Sequence, residues 1–331
     1  MMSKERFLST SIVKWYIKHG RHDLPWRKQI SPYRVWISEI MLQQTQVKTA
    51  VPYFKKFISR LPSLKQLINA SEDEIMALWS GLGFYKRARN IICAKDIIKT
   101  KHRGRFPSSY GDMLALPGIG KSTAGAISSI AFNQPQPILD GNVKRVLARF
   151  YADARNQNFS DKLLWQLSEQ SCSTNNAFAY TQGIMDIGAT ICTPFKPNCY
   201  TCPLNKKCGS AFIKVIKPKP IKLKKLPVIG LDLELVKYKD SLLLRKIEDQ
   251  DIWKGLWAPF EKQKIPYKLK TLKQREVSHK LSHRVIDLSL TLSKSNKRFN
   301  LDTNLNYDWI NIKDIEKFGM PKPIKQFVSS I

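Results

Sequence analysis

The sequence is short of acidic residues. It holds 26 Asp and Glu against 56 Lys and Arg, a formal net charge of +30 over 331 residues. The first 225 residues carry 36 of the basic and 13 of the acidic side chains, so +23 of that charge lies there. An excess of this size favours a polyanionic partner. A lysine-rich compositional bias would also raise the charge, but the concentration in the first two-thirds argues against bias alone.

Long apolar runs are missing as well. No stretch approaches the roughly 20 residues needed to cross a bilayer, and residues 1–10 carry no signal-peptide core. We therefore expect a cytoplasmic protein, nucleoid-associated in a bacterium, with no membrane partner. We also expect a monomer. At 331 residues, the chain is long enough for two domains.

Cysteine is scarce except in one stretch. Four of the six cysteines fall within residues 192–208, at Cys192, Cys199, Cys202 and Cys208. Because the cytoplasm disfavours disulfides, this crowding indicates a metal site. Zinc sites usually contain two short C-x(2–4)-C pairs, and only Cys199 and Cys202 form one here. Unequal gaps can surround a [4Fe–4S] cluster, with one thiolate at each corner, so the spacing favours iron–sulfur over zinc without excluding zinc.

Apolar residues at helical spacing dominate the first 210 residues. In residues 31–46, Ser31 is suited to cap a helix and Pro32 to begin it. Further helices are predicted over residues 72–80, 85–100, 110–116, 122–131, 143–151, 161–170 and 177–189.

The composition changes at residues 214–227, where six lysines and three prolines predict a semi-extended linker. Beyond it, alternating apolar residues predict strands over residues 228–238, 241–247 and 284–293. The sequence therefore predicts a mainly α N-terminal region over residues 1–213 and a smaller α+β domain over residues 228–331.

The segment LPGIGKS at residues 116–122 joins two predicted helices. Gly118 and Gly120 have no side chains, which lets backbone N–H groups approach a phosphate at the start of the second helix. An ordinary tight turn looks the same and would be favoured in isolation. In a strongly basic helical protein, we predict a phosphate site here.

Two carboxyl groups stand in contrasting surroundings. Glu39 lies among apolar neighbours in the first predicted helix, which favours its protonated form, although a solvated helix glutamate is the commoner case. Asp140 directly precedes a helix, where N–H groups and the helix dipole favour the ionised form, as they would for a plain N-cap. Together, a neutral and a charged carboxyl suit glycosidic-bond cleavage, in which one protonates the leaving group and the other stabilises an oxocarbenium-like sugar.

These segments resemble the helix-hairpin-helix, iron–sulfur DNA glycosylases and, within them, the adenine glycosylases of the MutY type. The resemblance runs from about residue 7 to Cys208 and rests on LPWR at 24–27, WISEIMLQQTQ at 36–46, the hairpin at 116–122, residues 138–149 and the four-cysteine loop. A further similarity over residues 253–257 and 278–283 places residues 228–331 with the family's Nudix-like recognition domain.

The resemblance implies a substrate and a cofactor. The substrate is double-stranded DNA in which adenine lies opposite 8-oxoguanine or guanine, and the adenine is flipped out of the helix. Glu39 would protonate adenine N7, and Asp140 would stabilise the cationic sugar. The cysteine spacing over residues 192–208 is that of the family's single [4Fe–4S] cluster.

The resemblance also implies further site residues. The family's adenine pocket corresponds to Arg21, Trp26, Arg27, Leu42 and Gln182. Polar residues beside the catalytic carboxylates correspond to Ser122 and Asn142, and those that meet the opposite guanine to Gln44, Thr45, Ser282 and His283. We expect phosphate contacts from Gly118, Gly120, Lys121 and Lys144.

One position distinguishes this chain from the bifunctional glycosylase/lyases that resemble endonuclease III. Those enzymes carry a nucleophilic lysine two residues after the second hairpin glycine, where this chain has Ser122. The basic residue is the neighbouring Lys121, and a shift of one residue turns a helical side chain by about 100°. The sequence therefore predicts hydrolysis by water rather than amine catalysis.

The chain also departs from the family pattern. The family's wedge tyrosine is Phe84 here, which keeps a stacking surface but loses the hydroxyl. Its Phe-Ser-His motif reads Leu281-Ser282-His283, with Val285 in place of a following histidine, and the glutamate-rich Nudix helix is missing. We expect this domain to recognise rather than hydrolyse. Two other functions stay open: an oxidised-pyrimidine glycosylase/lyase, and a non-catalytic, redox-sensing DNA-binding protein.

Overall fold

A computed structural model describes residues 3–153, 158–213, 225–248, 252–301 and 304–331. The chain divides into two compact units, one of Met1–Ile68 with Cys93–Pro220 and the other of Asn69–Ile92 with Ile221–Ile331. Most of the linker predicted over residues 214–227 lies outside the described residues, so its boundaries stay a prediction. The segment Asn69–Ile92 packs with C-terminal residues, although it lies inside the predicted N-terminal region.

The first unit is helical, as the sequence predicts. In chain order, the α-helices of both units within the described residues are α1 (Lys4–His19), α2 (Pro25–Lys28), α3 (Pro32–Leu42), α4 (Val47–Arg60), α5 (Leu64–Asn69), α6 (Glu72–Trp79), α7 (Lys86–Lys101), α8 (Tyr110–Leu114), α9 (Lys121–Phe132), α10 (Gly141–Tyr151), α11 (Asp161–Ser171), α12 (Ala177–Thr190) and α13 (Lys322–Val328). Among the helices of the described residues, none has the length and apolar character needed to cross a membrane.

Helix ends follow the capping side chains. Ser31 Oγ accepts a hydrogen bond from the Arg34 N–H at the start of α3, and Asp140 caps α10 in the same manner. The helix predicted over residues 31–46 is too long, because α3 ends at Leu42 and Gln44 adopts a φ of +55° that a helix cannot contain. The other predicted helices agree with the structure to within two residues at each end.

The second unit contains a mixed sheet. Its strands are β1 (Val228–Tyr238), β2 (Ser241–Lys246), β3 (Trp257–Ala258), β4 (Phe260–Glu261), β5 (Lys270–Lys280), β6 (Val285–Lys294) and β7 (Tyr307–Asn311). The order is β3-β2-β1-β6-β5, with β4 beside β1 and β7 beside β2. Only the β1–β6 pair is parallel among the described strand pairs. The three predicted strands are present, whereas β5 was not predicted because its side chains are mostly exposed and show no apolar alternation.

The segment Asn69–Ile92 joins the second unit through polar side chains. Asp73 Oδ1 accepts a hydrogen bond of 2.9 Å from Trp257 Nε1 and lies 3.1 Å from Lys246 Nζ. Ser80 Oγ donates to the Met320 carbonyl at 2.6 Å. These contacts connect residues about 170 to 240 positions apart in the chain, so no local sequence pattern could reveal them.

Candidate active site and cysteine cavity

Glu39 faces a small cavity in the first unit. The cavity has a volume of about 50 Å³, enough for roughly three to five water molecules. Its lining comes from the α1–α2 connection and from α2, α3, α4, α9 and α12, and includes Arg21, Trp26, Arg27, Glu39, Leu42 and Gln182. The structure thus brings together the five residues predicted for an adenine pocket and the predicted acid.

Glu39 is half-buried and lines the wall of this cavity. Burial raises its pKa to about 7; the negative charge of Asp140 acts in the same direction, and the positive charge of Arg27 opposes it. A raised pKa in this range keeps a proton on a substantial fraction of these carboxyl groups at neutral pH. Such a group can donate a proton to a leaving group at physiological pH.

Asp140 is fixed at the N-terminus of α10. Its Oδ1 accepts hydrogen bonds from the N–H groups of Asn142 at 2.7 Å and Val143 at 2.9 Å. Asn142 Oδ1 accepts a hydrogen bond of 2.8 Å from the Arg145 guanidinium. Ser122 Oγ accepts from the Leu139 N–H at 3.0 Å, which ties the start of α9 to the residue before Asp140.

The hairpin at residues 116–122 begins α9 as predicted. Gly118 has a φ of +82°, which favours glycine, and Gly120 is the N-cap of α9 with Lys121 exposed beside it. Gln43, directly after α3, donates from Nε2 to the Gly118 carbonyl at 3.3 Å. This contact connects the turn to the helix that carries Glu39, a role for Gln43 that sequence reasoning missed.

Asp186 on α12 is a second residue that sequence reasoning missed. Its side chain has no exposed surface and binds the guanidinium groups of both Arg21 and Arg27. Arg27 donates from Nη1 at 2.7 Å and from Nη2 at 2.9 Å, and Arg21 Nε donates at 2.8 Å. The available signal was that Asp186 is the one charged residue in the sequence of α12.

The remaining predicted residues of this unit lie at its surface. Gln44 is exposed directly beyond α3, and Thr45 next to it is half-buried. Lys144 pairs with Asp161 at 2.6 Å, so a phosphate would have to compete with that carboxylate.

The four cysteines line a separate cavity of about 190 Å³. Burial raises the pKa of Cys202 to about 11, and the other three thiols act in the same direction. No three His, Cys, Asp or Glu side chains within the described ranges converge as ligands of a single ion must. A [4Fe–4S] cluster takes one thiolate at each of four corners, and four cysteine side chains line this cavity.

Arginine lies against the same cavity. Arg149 Nη1 approaches Cys192 Sγ at 3.4 Å, and Cys208 Sγ approaches the Arg149 carbonyl at 3.4 Å. A cation beside the Cys192 sulfur suits a thiolate, because a cysteine must lose its proton to bind metal.

Comparison with known proteins finds two matched regions in the sequence. Residues 37–181 match the HhH-GPD superfamily of base excision DNA repair proteins, and residues 233–330 match the NUDIX domain. An adenine DNA glycosylase of Buchnera aphidicola subsp. Acyrthosiphon pisum (strain APS) is 38% identical, over 97% of each chain. That of subsp. Schizaphis graminum (strain Sg) is 41% identical, again over 97% of each. The chain belongs to the adenine DNA glycosylase family.

The predicted resemblance and fold class are thereby confirmed. Among solved structures, a thermostable thymine-DNA glycosylase is 28% identical with a TM-score of 0.57, covering 63% of this chain and 96% of its own. As in the predicted architecture, the chain has a helical HhH-GPD region and a C-terminal Nudix-like domain with a sheet.

The second unit carries the residues predicted as the wedge and as contacts to the opposite base. Phe84 is half-exposed with a φ of +48°, and the Arg87 guanidinium lies 5.3 Å from its ring centre. Ser282 and His283 are exposed in the turn between β5 and β6, with Ser282 Oγ 3.3 Å from His283 Nδ1. All three present polar or aromatic surface to solvent, as residues that contact a large ligand must.

Proposed function

We propose that this chain hydrolytically removes adenine that lies opposite 8-oxoguanine or guanine in duplex DNA. The observation that carries the proposal is the carboxyl of Glu39, whose pKa burial raises to about 7 in a cavity close to Asp140. Relatives named adenine DNA glycosylase at 38–41% identity support the base, and the net charge of +30 suits DNA. We also propose that the protein acts on DNA as a monomer in the cytoplasm.

The reaction proposed is a protonation followed by bond cleavage. Glu39 gives its proton to N7 of the flipped adenine, which makes the base a better leaving group. The bond between the sugar C1′ and adenine N9 breaks, with its electron pair going to the base. Asp140 stabilises the positive sugar, water forms a bond to C1′, and the proton lost by that water returns to Glu39.

The cavity residues supply the contacts to the base. Arg27 Nε is buried and has no hydrogen-bond partner among the described residues, so it remains available to a ligand. Trp26 and Leu42 offer apolar surface, and Gln182 offers an amide. Gly118, Gly120 and Lys121 would bind the phosphate backbone at the start of α9.

The proposal predicts base release without strand cleavage. Ser122 occupies the position of the lyase lysine and is hydrogen-bonded to the Leu139 N–H, while Lys121 is exposed one residue before it. Enzyme in excess should release adenine from A:8-oxoguanine and A:G duplexes but not thymine from T:8-oxoguanine. Quenching with borohydride should trap only a minor adduct.

Duplexes with thymine glycol provide the matched comparison for this assay. Excision of the oxidised pyrimidine with a dominant borohydride-trapped adduct would replace the proposal with a glycosylase/lyase. Binding to every duplex without release of any base would replace it with a non-catalytic DNA-binding protein.

We further propose that Cys192, Cys199, Cys202 and Cys208 hold one [4Fe–4S] cluster. Hydrolysis needs no net electron transfer, so the chemistry that the cluster supplies here is cross-linking of the loop over residues 192–208. That loop carries Lys196 and Lys206, both exposed, and an ordered loop would hold them against phosphates.

Replacing Cys199 with Ser should weaken DNA binding and lower the melting temperature more than it slows excision on bound substrate. The physical reason is that none of the residues lining the Glu39 cavity belongs to this loop. Disorder of the loop should therefore act through folding and phosphate contacts. Titration of labelled duplex at two salt concentrations, thermal unfolding and single-turnover rates at saturating DNA separate these effects. The matched control is Cys93→Ser, since Cys93 is exposed and outside the loop. Unchanged affinity with a lost single-turnover rate would contradict the proposal.

A further inference from the structure

Arg27 stands in an unusual position for a positive charge. Its side chain is only 4% exposed, lines the cavity of Glu39 and acts on the pKa of that carboxyl in the lowering direction. An arginine this close to a general acid would normally be expected to pair with it and hold it ionised. The pKa of Glu39 is nevertheless raised, to about 7.

The contacts of Arg27 explain why the two groups do not pair. Nη1 donates to Asp186 Oδ2 at 2.7 Å and Nη2 donates to Asp186 Oδ1 at 2.9 Å, which is a two-pronged arrangement. The guanidinium also lies 5.7 Å from the ring centre of Tyr16. Nη1 also donates to the Arg21 carbonyl at 3.2 Å. Both terminal nitrogens are thus held by these neighbours, whereas Nε has no hydrogen-bond partner among the described residues.

Asp186 is itself fixed by a second arginine. Arg21 donates to it from the backbone N–H at 3.0 Å and from Nε at 2.8 Å. Asp186 also lies one helical turn after Gln182, which lines the cavity. The carboxylate therefore connects two residues of the cavity wall, Arg21 and Arg27, and belongs to the helix that carries a third, while it has no exposed surface.

We propose that Asp186 is a positioning residue for the excision reaction: it binds Arg27 by both terminal nitrogens, so that the guanidinium forms part of the cavity wall and does not pair with Glu39. This inference rests on the proposed role of Glu39 as general acid. The charged groups that act on Glu39 are Asp140 and Arg27, and those that act on Asp186 are Arg27 and Arg21.

Removal of the Asp186 charge tests this inference. In Asp186→Asn, the buried guanidinium of Arg27 loses its counter-charge and turns to the carboxyl of Glu39. An opposite charge at ion-pair distance lowers a carboxyl pKa by about 1–3 units. The alkaline limb of the single-turnover pH profile should move to lower pH by that amount, and at pH 8 the rate should fall about tenfold for each unit.

The double variant Arg27→Gln/Asp186→Asn is the decisive companion. It removes both buried charges, so the alkaline limb should return to the wild-type position or above it, even though contacts to the base are weakened. The conservative variant Asp186→Glu should lie between wild type and Asp186→Asn. A residue with only a structural role would lower the melting temperature and leave the limb where it was in all three variants, which would overturn the inference.

Direct titration of Glu39 keeps this test separate from the proposed function. The carboxyl carbon of ¹³C-labelled Glu39 can be followed by NMR in the DNA-free enzyme, whatever reaction that enzyme catalyses. If Asp186→Asn does not fold, the same titration is made on Asp186→Glu, and an unchanged Glu39 pKa overturns the inference. If Glu39→Gln excises adenine at the wild-type rate, the proposed function fails. If Glu39→Gln loses activity as expected but the alkaline limb of Asp186→Asn stays at the wild-type pH, only the inference about Asp186 fails.

Discussion

We expect Glu39→Gln to lower the single-turnover rate of adenine excision by about 10²- to 10⁴-fold. Gln has nearly the same shape as Glu but has no acidic proton to give to the base. Wild-type activity should fall as the pH rises through 7, because the raised pKa of Glu39 is about 7 and only its protonated form can act. The residual rate of Glu39→Gln should not show this fall as the pH rises through 7.

The same substitution should stabilise the protein at alkaline pH. Because the folded-state pKa of Glu39 is raised from 4.5 to about 7, the fold loses stability as the pH rises from about 4.5 to 7 and the buried group must ionise. Glu39→Gln should therefore raise the free energy of unfolding by at most about 3 kcal/mol at pH 8 and leave it unchanged below pH 4. Chemical denaturation at both pH values measures this difference.

Glu169→Gln is the matched control, since Glu169 is exposed on α11 of the same unit. It should change neither the rate nor the pH dependence. Excision by Glu39→Gln at the wild-type rate would remove Glu39 from the reaction.

Asp140→Asn should lower the single-turnover rate by about 10²- to 10³-fold, because it removes the negative charge that stabilises the developing sugar cation. The fold should survive, since the amide oxygen of Asn can accept the hydrogen bonds from the Asn142 and Val143 N–H groups. Single-turnover rates and melting temperatures, measured together, separate charge from capping.

Asp140→Ser provides a second neutral cap and should lose as much activity as Asp140→Asn. Asp140→Ala lacks the cap and should lose about 1 kcal/mol more in unfolding stability. Near-normal excision in either neutral-cap variant would show that the charge of Asp140 is not needed.

Local patterns in the sequence predicted the parts of the site that depend on neighbouring residues. Capping chemistry located Asp140 at the start of α10, and two glycines located the turn before α9. The resemblance to the family then predicted the pocket residues, and the structure places Trp26, Leu42 and Gln182 in the same cavity wall as Glu39. Their individual roles remain predictions.

Long-range pairing is what the sequence could not reveal. Arg27 and Asp186 are 159 residues apart, and nothing local to either residue specifies the other. Strand β5 was overlooked for a related reason: its partner β6 supplies the hydrogen bonds, while its own exposed side chains carry no alternating pattern. Helix α3 was overextended because no sequence signal marks the positive φ of Gln44.

The packing of Asn69–Ile92 with C-terminal residues has a consequence for synthesis on the ribosome. Ser80 leaves the ribosome 240 residues before its hydrogen-bond partner Met320, a delay of roughly 12 to 48 s at ordinary elongation rates. During that time α6 lacks the C-terminal residues against which it finally packs, among them Gly255 and Gly319 beside Met76, which is buried in the finished protein. The nascent chain therefore offers chaperones an apolar segment near its beginning until translation is nearly complete.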